Sequence, residues 1–258
     1  MQEITNSYKK YGNGKTVLIL HGLFGMLDNW HSFAKLLSKD YEVYIIDLRN
    51  HGRSTKTNNH SYKLMSNDIF NFVQKHNINK VSIIGHSMGG KLAIKFATLH
   101  PKLVEKLVII DILPIKYELL QEHKIIFKAI DFIDSNDFYN RKKADLKLSE
   151  IVNSMKLRIF LIKNLTKDKS GKIIWKFNSV ALKQNIQNIL GSIKIENKIQ
   201  IPTLFIKAGK SDYIFKDKYN SIKASFENSK IIEIKDSTHW VHVDKAEKLL
   251  NILTNFLK

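Results

Sequence analysis

Three kinds of side chain in this sequence could combine into nucleophilic chemistry: a serine between glycines, histidines near the C-terminus, and aspartates that follow short apolar runs. The serine is Ser87, in Gly85-His86-Ser87-Met88-Gly89. A serine hydroxyl barely ionises at neutral pH, so it attacks a carbonyl only when a base takes its proton and a carboxylate orients that base. The stretch "KDSTHWVHVDKAE" offers His239, in the loop off the last apolar run, and His242, close to the start of the last helix. His239 is the expected base and His242 a structural residue. Asp111 in "LVIIDILP" and Asp212 in "FIKAGKSDYI" both follow apolar runs, where either could contact His239 directly or through a neighbour such as Ser211. Such a set performs acyl transfer, in which an acyl-serine forms and water then releases the acid.

The oxygen that becomes negative in that reaction needs hydrogen-bond donors, each typically contributing about 10²–10³ in rate. The N–H of Met88, next after the serine, is one expected donor. The other is expected in "LILHGLFGMLDNW", from Leu23 with Phe24 as the alternate. Backbone donors leave their side chains free to line a pocket. His21, His51 and His86 lie beside turns and are expected to shape them, as are Asp47 and Arg49 in "DLRNHGRS". Lys91, just past the glycine pair, reads as an exposed helix residue.

These residues need a scaffold that holds them together. Short β-branched runs at Thr16–Leu20, Glu42–Ile46, Val81–Ile84, Leu107–Ile110, Thr203–Lys207 and Ile231–Ile234 alternate with helical periods. The helices are expected at Trp30–Ser38, Leu64–His76, Gly89–His100 and Lys216–Phe226. Runs apolar throughout, alternating with helices, predict a mostly parallel, doubly wound α/β sheet with helices on both faces. Ser87 then sits in a sharp turn from strand to helix, its Oγ presented above the sheet and close to the positive end of the helix. Between Asp111 and Pro202 the alternation stops in a stretch too long for an ordinary connection. Residues 112–200 are therefore expected to form an inserted helical lid, with "KIIWKF" the one strand-like piece, over a core of residues 1–111 and 201–258. Asp244 and Glu247 are expected to make a capping-box-like start to the last helix.

Composition bounds the function. The 258 residues contain no cysteine, which excludes disulfides and thiolate sites and fits a reducing compartment. No apolar run is long enough to cross a bilayer and the start lacks a secretory pattern, so a cytoplasmic protein is expected. The net charge of +18 raises the question of nucleic acid, but 38 of the 42 basic residues are lysine and they are scattered. A generally solvated basic surface follows, without a specific nucleic-acid site. That surface would still attract anionic acyl carriers, coenzyme A or an acidic acyl-carrier protein. The rival class is a non-catalytic polyanion-binding module.

The motifs "HGLFG.LDNW", "DLRNHGRS", "GHSMGGK", "IDILP", "W.FN" and "HWVH.DKAE", in this order, resemble the YbfF branch of α/β-hydrolase-fold esterases and thioesterases. The resemblance runs from about Val17 to the C-terminus. It implies a cofactor-free hydrolase of short- to medium-chain acyl esters and acyl-CoA-type thioesters, with no metal. It also implies that Asp111 is the acid and Ser211 an accessory, while Asp212 beside Ser211 departs from the pattern. The substrate pocket is expected to be lined by Phe24, His86, Trp175, Phe177 and Trp240. Haloalkane dehalogenases and epoxide hydrolases of this fold need an aspartate where Ser87 stands. Carbon–carbon bond hydrolases and cofactor-free haloperoxidases also use serine, and only the resemblance argues against them.

Overall fold

The computed structural model describes residues 4–258. Its centre is a seven-stranded sheet in the order β1-β3-β2-β4-β5-β8-β9, parallel except for β1. The strands are β1 Tyr8–Tyr11, β2 Thr16–Leu20, β3 Glu42–Ile46, β4 Val81–His86, β5 Val104–Ile110, β8 Thr203–Ala208 and β9 Ser229–Ile234; a separate hairpin pairs β6 Leu165–Lys167 with β7 Ile173–Trp175. Successive residues of each inner strand serve opposite faces, which is why the runs are apolar throughout. Leu18, Leu20, Ile83 and Ile109 join one core layer, while Val17, Ile19, Ile84 and Ile110 join the other. Helices α2 Tyr62–Lys75 and α3 Met88–Leu99 bury the first face; α1 His31–Leu37 and α11 Ala246–Leu257 cover the second. The sequence reading misses β1. Its "YKKY" lies at the sheet edge with alternate residues exposed, so lysines replace the apolar signal.

Residues 111–202 add no strand to the main sheet. They form α4 Gln121–Asp134, α5 Arg141–Leu148, α6 Met155–Lys163, the hairpin, α7 Ser179–Gln184 and α8 Ile186–Leu190. Specific bonds tie this segment to the core. Tyr62 Oη donates to Ile189 O at 2.7 Å, and Asn178 N–H to Asn50 O at 2.8 Å. Lys91 corrects the expectation of an exposed residue. It is fully buried, with Nζ donating to Leu190 O at 3.0 Å and Gly191 O at 2.7 Å. It lies one turn after Ser87 on α3, on the face that the insertion covers.

After β8 the chain forms α9 Tyr219–Ser225, and after β9 the short α10 Val241–Asp244 precedes α11. The expected capping box does not form, because Asp244 closes α10 and faces backwards. Its carboxylate accepts from Thr238 N–H at 2.8 Å and Thr238 Oγ1 at 2.6 Å, and pairs with Lys156. It thereby fixes the loop that carries His239.

Candidate active site

Ser87 stands between β4 and α3 with φ of 52°, a left-handed conformation that a side chain adopts only under constraint. Its surroundings impose that turn. Ser87 N–H donates to Ile110 O at 3.0 Å, tying the elbow to the neighbouring strand. A Cβ on Gly89 would strike the backbone of Leu20, and one on Gly85 the backbone of Gly89. Only glycines let strand and helix approach so closely.

Asp111 ends β5, fully buried, also with φ of 52°. Each carboxylate oxygen is engaged: Oδ1 accepts Ala208 N–H at 3.0 Å, while Oδ2 accepts the Ser211 hydroxyl and His239 Nδ1–H, the latter at 2.8 Å. Of the two candidate aspartates, the structure brings Asp111 to His239. Asp212 is exposed, turned to solvent one residue past Ser211, and makes no hydrogen bond to the imidazole; that alternative is corrected. With Nδ1 occupied, Nε2 is the nitrogen His239 can offer a substrate. Ser87 and His239 line one pocket together with Leu23, Phe24, His86 and Trp240.

The remaining imidazoles act as braces. His86 Nε2–H donates to His239 O at 2.8 Å, and burial with two neighbouring histidines keeps its ring neutral, far below the usual histidine range. His51 donates from Nδ1 to Arg49 O at 2.9 Å and accepts Phe24 N–H on Nε2 at 3.2 Å. The Phe24 N–H, the alternate expected donor, is thus already bound to His51. His21 holds the same loop, donating to Gly22 O at 2.8 Å and accepting Leu48 N–H at 3.0 Å. Asp47 accepts Leu27 N–H at 2.7 Å and Arg53 N–H at 2.9 Å, and Arg49 grips Asp68 with two bonds of 2.6 Å. The "DLRNHGRS" loop is held by these contacts.

Two expected pocket residues lie elsewhere. Trp175 and Phe177 stack on each other at 4.9 Å, and Phe177 backs Phe24 at 5.2 Å. They fill the space behind the pocket wall and do not line the pocket, because Phe24 stands in front of them. The sequence reading missed several pocket residues, among them Phe160, Tyr213 and His123. Tyr213 stacks on His239 with centroids 4.0 Å apart, and His123 of α4 faces both, its pKa lowered to about 4 by burial and by His239. Tyr213 follows Ser211 by two residues and was within reach of the sequence; His123 begins the buried face of α4, continued by Ile126, Ala129, Ile130 and Ile133, and nothing local shows that this face meets the pocket.

The sequence pattern of the α/β-hydrolase fold matches residues 15–246. The chain belongs to the α/β-hydrolase fold family. This α/β hydrolase is 33% identical over 253 residues to a Danio rerio protein named sn-1-specific diacylglycerol lipase ABHD11, covering 96% of this chain and 80% of that one. It is 31% identical over 245 residues to the Escherichia coli esterase YbfF, covering 95% and 94%. A solved structure of a marine microorganism esterase superimposes with a TM-score of 0.94 at 36% identity, over 98% of this chain and all of the other. The chain is accordingly an α/β-fold hydrolase of the esterase/lipase kind, as its motifs led one to expect.

Proposed function

We propose that this hydrolase cleaves short- to medium-chain acyl esters, and acyl-CoA-type thioesters, through an acyl-enzyme on Ser87. The observation that carries the reading is the hydrogen bond from half-buried His239 to fully buried Asp111, with His239 and the strained Ser87 elbow lining one pocket. His239 Nε2 takes the serine proton as Oγ attacks the carbonyl carbon. The Leu23 and Met88 N–H groups receive the developing oxyanion. Asp111 holds the imidazole through Nδ1–H and stabilises its charged form. His239 then protonates the leaving group, and a water activated by the same nitrogen releases the acid. The esterase and lipase names of the relatives support oxygen esters; the net charge of +18 supports anionic carriers as an additional source of acyl groups.

The test is hydrolysis of a p-nitrophenyl ester series and an acyl-CoA series by wild type and Ser87→Ala. The variant is expected to lose about 10⁴-fold or more in kcat on both. With salt, kcat/KM for acyl-CoA should fall while that for a neutral ester holds. Wild-type rates in Ser87→Ala would overturn the nucleophile; a flat salt profile for acyl-CoA would overturn the steering.

A further inference from the structure

Four of the exposed large apolar side chains gather in one place. Leu36 of α1, Met155 and Ile159 of α6, and Val243 of α10 are all exposed, and all four line a single surface groove. One exposed apolar residue needs no explanation, but a continuous groove of them marks a binding surface. This groove is continuous with the pocket of Ser87. The two share Asn29, Phe160, Trp240 and His242, and between them Phe160 and Trp240 pack edge to face with centroids 4.4 Å apart. The charges along the groove are largely neutralised within the chain, Asp28 by Lys9 and Lys156 by Asp244. The surface therefore suits a neutral alkyl chain better than a phosphorylated carrier.

The direction of the groove adds a chemical constraint. It leaves the pocket beside Trp240, the residue after His239. In the proposed reaction His239 delivers its proton to the departing atom, so the leaving group must lie on the histidine's side of the carbonyl. The opposite arm, beyond Met88, ends against the buried Lys91, Tyr62 and Tyr117.

We propose that the groove between α1, α6 and α10 is a leaving-group subsite that takes a linear alkyl chain carried on the alcohol side of an ester, led past Trp240 and Phe160. The proposal rests on the serine-esterase reading above and specifies its substrate as an ester of a long-chain or lipid-like alcohol. Each methylene seated in the groove should raise kcat/KM by up to about fourfold until the groove is full.

Two series separate the alcohol side from the acyl side: acetates of linear alcohols from ethyl to dodecyl, and p-nitrophenyl esters of acids from acetate to dodecanoate. Wild type, Ile159→Glu and Leu36→Glu are compared below the solubility limit of each ester. Both substitutions fall on exposed positions, and unchanged thermal midpoints would verify folding. The dodecyl-to-ethyl ratio of kcat/KM is expected to fall at least tenfold in both variants, with the ratio across the acyl series unmoved. An effect on the acyl series instead, or no effect of alcohol length in wild type, would overturn the proposal. A second readout needs no turnover: 12-bromododecanol should quench Ser87→Ala fluorescence saturably, less so with Trp240→Phe added, and not with Ile159→Glu added. If wild type hydrolyses no ester, the serine-esterase reading fails, while the quenching still decides whether the groove binds a chain. Self-association weakened by Ile159→Glu without any quenching would give the groove to a second copy of the chain and overturn the proposal.

Discussion

His239 can offer only Nε2 to a substrate, because its Nδ1–H is bound by Asp111. That single bond fixes the tautomer, the ring plane is further held by Tyr213 stacked at 4.0 Å, and the backbone is held by His86. A carboxylate in this place supports the imidazolium that forms when serine is deprotonated. Asp111→Asn leaves the shape nearly unaltered but allows the wrong tautomer, so kcat should drop by about 10³–10⁴. Asp212→Asn, at an exposed position away from the ring, should stay within about threefold. Steady-state kinetics of the two variants on one ester is the check, and a collapse in the Asp212 variant alone would reverse the assignment. At the same scale, Leu23 is the proposed oxyanion donor over Phe24 because His51 Nε2 already occupies the Phe24 N–H.

Among the elements, α3 does more than point its first turn at the elbow. Lys91, one turn on, carries an ammonium beneath α8, where it bonds two carbonyls and faces the Tyr117 ring at 4.7 Å. Burial brings its pKa down to about 7, so near neutral pH the group passes between ammonium and amine, and either form can donate to those carbonyls. Lys91→Met would leave the Leu190 and Gly191 carbonyls without this donor, at a cost of about 1–3 kcal/mol. Amide hydrogen exchange is expected to accelerate in α8 and the residues that follow it, ahead of the sheet. Uniform acceleration, or none, would show that Lys91 does not anchor the insertion. The loop before α10 is held similarly by Asp244 and Lys156, which join the His239 segment to α6.

Taken as a whole, the molecule combines a basic exterior with a set of histidines buried in the neutral form. His60 and His242 are brought down to about 3 by burial, and His123 to about 4. In the unfolded chain these groups titrate near 6.5. Between those values the unfolded state binds more protons than the native one, so stability rises with pH across the window. It is fully present above about pH 6.5 and is lost on acidification towards pH 3–4, each buried histidine removing up to about 1.4 kcal/mol per pH unit. Urea midpoints should therefore decline from about pH 7 to pH 5, before most carboxylates titrate. A midpoint unchanged at pH 5 would mean that these rings can charge in the folded state. Among the described residues no helix is long and apolar enough to cross a membrane.

The sequence by itself determined what repeats locally. Inner strands were legible because nearly every residue of β2, β4, β5 and β8 is buried on one face or the other, and the elbow because close strand–helix approach admits only glycine. The histidine was legible by its place after the last strand. β1 was not, since an edge strand carries lysine where an inner strand carries valine or isoleucine. The insertion was least legible: α4 keeps one apolar face, but the shorter α5 and α6 carry almost none. Only the tertiary structure brings Asp111 to His239 and leaves Asp212 exposed, because both follow strands and the difference lies in which one turns inward. It alone placed Trp175 and Phe177 behind Phe24, brought His123 to the pocket, and buried Lys91. A lysine reads as solvated until two carbonyls almost 100 residues away in sequence are set within reach of its ammonium, and long-range pairing of that kind leaves no trace in local periodicity.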